Sequence, residues 1–124
     1  MSRNPFGYPE SVWTLFEHPA RSGVLDGPHT RTGVASTQAN RSRLELQVRL
    51  DGERVGDARF RAHGCPISIA VGAWLADRAI GRTLDELSSI RAAEIRQALE
   101  IPEDRLHCAL LGEDAIKSLC SSPG

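Results

Sequence analysis

The sequence predicts an α+β domain: a three-stranded antiparallel sheet with helices packed on one face. Three observations carry this. Leu44, Leu46, Val48 and Leu50 alternate with Arg43, Glu45, Gln47 and Arg49, the period of two of a strand with one wet face. Asp51-Gly52 then supplies a hairpin turn. After Cys65 the apolar spacing changes to that of helices, and strands followed by helices describe helices laid over one small sheet.

The elements follow in order. Val12, Trp13, Leu15 and Phe16 form a short amphipathic helix, with Ser11 as its candidate cap and Pro19 as its stop. Pro19, Gly23, Gly27, Pro28 and Gly33 mark the stretch between them as loop. Val34–Ala39 adds a third strand to those at Leu44–Leu50 and Val55–Ala62, so residues 34–63 form an antiparallel meander. Asp57 breaks the alternation of the last strand, which predicts a bulge or a late start. Ile67, Ile69, Ala70, Ala73, Trp74 and Ala76–Ile80 suit a largely buried helix closed by Gly81. Thr83 and Glu86 match a capping box, and helical texture continues through Ile90, Ala93, Ile95, Ala98 and Leu99. Ile101-Pro102 breaks it before a last helix carrying Leu106, Leu110, Leu111, Ile116 and Leu119.

Composition bounds the function classes. The 124 residues are 40% hydrophobic and 25% charged, which fits one globular domain spanning residues 1–124 and excludes a disordered tail. A net charge of −1 gives no global case for nucleic-acid binding, and Lys117 is the only lysine among fifteen basic residues. No apolar run reaches the roughly 20 residues of a membrane span. Met1–Pro5 leads into no secretion-type apolar stretch, so a cytoplasmic location is the expectation.

The chain has three cysteines, Cys65, Cys108 and Cys120, and an odd count without a secretion signal argues against a disulfide framework. Cys120, near the C-terminus, reads as an incidental thiol on a fraying helix end. Cys65 sits in His63-Gly64-Cys65-Pro66 at a strand-to-helix junction, and Cys108 follows His107 where the last helix begins. A helix N-terminus favours a thiolate, so two such cysteines and an imidazole suit a soft metal or a sulfur cargo. By spacing alone, two buried structural cysteines explain the same residues.

Several ordered motifs resemble the iron–sulfur cluster scaffold family of IscU and the N-terminal domain of NifU. Asp57-Ala58-Arg59-Phe60 with His63-Gly64-Cys65 resembles the strand that leads into its second ligand cysteine. Gly81-Arg82-Thr83-Leu84-Asp85-Glu86 resembles its "GKSLDE" turn. Ile101–Ala109 with Glu113-Asp114-Ala115-Ile116-Lys117 resembles its "LP…HC…AEDAIK" helix, and Gly81 to His107 leaves no room for the insertion of the SufU-type relatives. The resemblance implies a transient iron–sulfur cluster, or zinc or iron, held by Cys65, His107 and Cys108. It also implies sulfur acceptance at Cys108 from a cysteine desulfurase, an iron donor, and recipient apo-proteins. No enzymatic activity of the chain's own is implied, since no base–nucleophile–orienter set appears.

Two departures qualify what the resemblance implies. Asn40 and Ser42 stand where the family has its first ligand cysteine and an aspartate, and an amide and a hydroxyl are poor donors to iron or zinc. Ile101-Pro102-Glu103-Asp104-Arg105 replaces the chaperone-binding "LPPVK", with two acids at its apolar centre, which argues against chaperone recruitment. The alternative function is therefore a non-catalytic binding module that keeps the fold and the desulfurase-facing surface.

Overall fold

Three long antiparallel strands are wrapped on one side by five helices in a computed structural model that describes residues 7–37 and 41–121. The order is α1 (Glu10–Glu17), β1 (Thr30–Thr37), β2 (Ser42–Asp51), β3 (Arg54–His63), α2 (Pro66–Ala79), α3 (Leu84–Ser88), α4 (Ala92–Leu99), a 3-10 turn (Glu103–Arg105) and α5 (Leu106–Ser121). The sheet order is β1-β2-β3, the meander the sequence predicts. Asn40, which the resemblance sets at the first ligand cysteine, lies outside the described residues, as do Met1–Pro5.

The alternation in β2 has the predicted sense. Leu44, Leu46 and Val48 are wholly buried against α2 and α5, and burial of each is worth about 1.5–3 kcal/mol. On the other face, Glu45 pairs with Arg61 at 2.6 Å and Asp57 with Arg59 at 2.6 Å. The register slips between Arg49↔Asp57 and Leu50↔Val55, so the extra residue is Gly56, one place before the predicted break at Asp57.

β1 begins at Thr30, four residues before the predicted strand, and includes Gly33, which the sequence reading placed in a loop. Gly33 is there because α5 crosses the strand at that point. A β-carbon would collide with the carbonyl oxygen of Ala115 and with Leu119. The segment before β1 is likewise not a free loop. Phe60 N–H donates to Arg21 O at 3.0 Å and Gly23 N–H donates to Phe60 O at 2.9 Å, which covers the outer edge of β3.

The helices follow the predicted spacing with two differences. Ser11 is not a cap: it lies inside α1, and its hydroxyl donates to Leu99 O at 2.9 Å, tying α1 to the end of α4. The texture from Thr83 to Leu99 is two helices. Thr83 and Glu86 form the predicted reciprocal capping box of α3. Ser88 and Ser89 then turn their hydroxyls back onto the carbonyls of Asp85 and Glu86, both at 2.7 Å, where the helix ends. α4 restarts at Ala92, whose N–H donates to Glu113 Oε1 at 2.6 Å.

Glu113 thus caps α4 from α5, and Lys117 adds a 3.0 Å ion pair. The Ala92 amide first, and Lys117 second, hold its carboxyl below the usual carboxylate range. A lowered folded pKa means stabilisation that is full above the ordinary carboxylate pKa and lost as pH falls through the folded value. Glu113→Ala is expected to lower stability by about 1–2 kcal/mol at pH 7, the usual cost of a lost cap. The gap between variant and parent should narrow in acid, as chemical denaturation at both pH values would measure.

Candidate functional site

The chain reverses direction at His63-Gly64-Cys65, where β3 gives way to α2. Gly64 has φ 141, and a β-carbon there would stand 2.7 Å from Ser42 Oγ, so only glycine fits the junction. Cys65 is the N-cap of α2 and Pro66 its first residue, where a missing N–H costs nothing. Pro102 and the 3-10 turn Glu103–Arg105 then start α5, so Cys108 falls in its first turn. The starts of α2 and α5 meet at the same end of the sheet, and the two sulfurs are 3.6 Å apart.

Ser68, wholly buried, completes the cluster. Its Oγ is 3.6 Å from each sulfur and 3.5 Å from Ser42 Oγ, itself almost fully buried. The sequence reading missed Ser68. Its signal is the spacing Cys-x-x-Ser at a helix start, which returns the hydroxyl to the capping position one turn earlier.

The two thiols are not equivalent. Cys65 is pulled to about 4, first by the hydrogen bond from the Cys108 thiol, against the opposing effect of its burial. The Ser68 hydroxyl and the amides of Ser68 and Ile67 at the start of α2 act in the same direction as Cys108. Cys108 is pushed up by the same hydrogen bond and by burial. Of the two, Cys65 is therefore the thiol that ionises more readily. Cys65 is partly exposed, whereas Cys108 has no exposure at all. Iodoacetamide is expected to modify Cys65 in the native chain and Cys108 only after unfolding, as peptide mass mapping would show.

The structure brings Cys65 and Cys108 together and places Ser42 beside them, but His107 does not join them. Among the described residues, no three His, Cys, Asp or Glu side chains gather where one metal ion could be held. Consecutive residues on a helix project in different directions, so bringing His107 to the pair takes a turn of its ring. The thiol pair alone suits zinc well, since ligands at about 2.3 Å from a tetrahedral ion stand about 3.7 Å apart. It supplies two donors of four.

Cys120 departs from the frayed end predicted for it. α5 runs through Ser121, and the Cys120 thiol, partly buried, donates to Leu84 O at 3.6 Å. Of the opening aromatics, Tyr8 packs against the core and stacks on Trp13, and the neighbouring Val12 is wholly buried. No helix among the described residues is long and apolar enough to cross a membrane.

Comparison with known proteins bears on this arrangement. The family profile described as "NifU-like N terminal domain" matches residues 7–121. Iron-sulfur cluster assembly protein 2 of Arabidopsis thaliana is 37% identical over 114 residues, covering 90% of this chain and 70% of that protein. The iron-sulfur cluster assembly scaffold protein IscU of Escherichia coli K12 is 32% identical, covering 90% and 89%. In fold, the chain is similar to the crystal structure of a putative SUF-system scaffold from Fervidobacterium islandicum, with a TM-score of 0.76 at 19% identity over 92% of this chain and 96% of that one. It is also similar to an N-terminal NifU-like protein of Brucella abortus, with a TM-score of 0.60 at 21% identity over 90% and 78%. With the profile spanning nearly all of the sequence, the chain belongs to the NifU-like N-terminal domain family, that of the iron–sulfur cluster assembly scaffolds.

Proposed function

We propose that this chain is a divergent scaffold that takes sulfur from a cysteine desulfurase at the Cys65–Cys108 pair and combines it with iron there. The observation that carries the reading is the pair itself: a partly exposed sulfur in contact, at 3.6 Å, with a buried one. Family resemblance assigns the sulfur to Cys108. The burial of Cys108 and the exposure of Cys65 favour arrival at Cys65, with Cys108 as its partner. Transfer balances without a further reactant: the Cys65 thiolate attacks the outer sulfur of the donor persulfide, and the donor leaves as a thiolate.

Iron, or zinc in its place, would then take both sulfurs. His107 becomes a third ligand if its ring turns toward them, and a desulfurase or solvent donor supplies the rest. The chain acts as a platform for this chemistry in a cytoplasmic setting. A second reading, a binding module that no longer assembles clusters, is favoured by Ser42, a buried hydroxyl where the family has a carboxylate. Anaerobic reconstitution with iron, cysteine and a desulfurase separates the two. Visible charge-transfer absorption that is lost in Cys65→Ala supports the scaffold, and a colourless product supports the module.

A further inference from the structure

Two thiols in van der Waals contact can do more than hold a metal. Cys65 Sγ and Cys108 Sγ are 3.6 Å apart, within about 1.6 Å of a disulfide bond length of roughly 2.0 Å. The Ser68 hydroxyl stands 3.6 Å from each sulfur and 3.5 Å from Ser42 Oγ. Cys108 is sealed from solvent directly behind Cys65. Cys120 takes no part, since its thiol is engaged with Leu84 O on another side of the helix.

We propose that this pair is itself the reductant that turns an accepted sulfane sulfur into sulfide. The inference rests on the sulfur-accepting reading above. Once Cys65 carries a persulfide, Cys108 Sγ attacks the inner sulfur, Cys65 Sγ, its contact neighbour. The Sγ–Sγ bond forms and the bond to the outer sulfur breaks. The outer sulfur leaves with the bonding pair and takes up the Cys108 proton, departing as hydrogen sulfide. Two thiols are oxidised to one disulfide while the sulfane sulfur is reduced to sulfide, so the turn needs no outside electron donor. A small dithiol afterwards restores both thiols.

The geometry gives this step an advantage over attack by thiols from solution. Reacting groups held in contact behave as if present at about 10⁵ M or more when well aligned. A donor set completed by thiolate and carboxylate would engage both sulfurs with metal. Here the Ser68 hydroxyl hydrogen-bonds both sulfurs instead, with Ser42 behind it, and the sulfurs stay available to each other.

The test uses the reduced full chain, freed of other thiols, under anaerobic conditions with glutathione persulfide as donor. The expected result is about one equivalent of sulfide per chain beyond that of a donor blank, with a protein mass lower by two hydrogens and restored by a dithiol. Cys108→Ser and Cys108→Ala should each release no sulfide above the blank and gain the mass of one sulfur atom on Cys65. A native chain that keeps the added sulfur, and releases no more sulfide than these variants, overturns the proposal. Repeating the reaction with desulfurase and cysteine keeps the two ideas separate. Sulfide from glutathione persulfide but none from the desulfurase upholds this inference and overturns the desulfurase reading. Stable persulfide from both donors upholds that reading and overturns this inference.

Discussion

Gly33→Val is expected to destabilise the domain by more than about 3 kcal/mol, more than the ~1–3 kcal/mol of ordinary overpacking. The β-carbon meets backbone, the carbonyl oxygen of Ala115 and the amide of Leu119, and no rotamer change relieves that. Helix α5 has to lift, which uncovers Ala115, Ile116 and Leu119, all now buried at 1% exposure or less. Against a total stability of about 5–15 kcal/mol, the midpoint of thermal unfolding should fall by about 10 °C or more. Because Cys108 rides on the same helix, iodoacetamide should also reach it in the folded variant. Val34→Thr, one residue on and exposed on the far side of the strand, should change the midpoint little. Circular dichroism melts of the three proteins measure both effects.

The second large effect is a gain. Asn40→Cys with Ser42→Asp supplies the thiolate and carboxylate that the resemblance to the family implies for these positions. Four-ligand structural zinc sites are worth about 10–16 kcal/mol, or about 3 kcal/mol per ligand. Two added ligands should therefore tighten zinc binding by more than about a hundredfold, even after the cost of a carboxylate where Ser42 is buried. That cost predicts a companion effect. Without metal the double variant should melt below the parent, and zinc should raise its midpoint far more than it raises the parent's. Competition with a chromogenic chelator gives the affinities. Equal affinity in the two proteins would mean that residues 40 and 42 do not face the thiol pair.

How much of this was legible in the sequence depended on whether the signal was local. The alternation of β2 and the capping box at Thr83 are set by neighbours in the chain, and both appear where expected. The beginning of β1 was hidden because Gly33 looks like loop punctuation, whereas its cause is a helix more than eighty residues later. The break between α3 and α4 depends on Ser88 and Ser89 folding back and on Glu113 capping α4 from another helix. At the site, the order of motifs pointed to Cys65 and Cys108. It could not reveal Ser68, which acts through a buried contact, nor that His107 would stand outside the cluster of the two thiols. The inequality of the two thiols is also a tertiary fact, produced by one sulfur lying behind the other.

The central claim is that desulfurase sulfur arrives on Cys65, and one labelling measurement tests it most directly. Cys108→Ser, in which sulfur has no neighbouring thiol to release it, is incubated anaerobically with a cysteine desulfurase and cysteine carrying radioactive sulfur. The chain is then alkylated, digested without reductant and mapped. The account predicts label on the peptide that contains Cys65, and none when Cys65→Ser is added. A chain that stays unlabelled, or label that survives loss of Cys65, would contradict it.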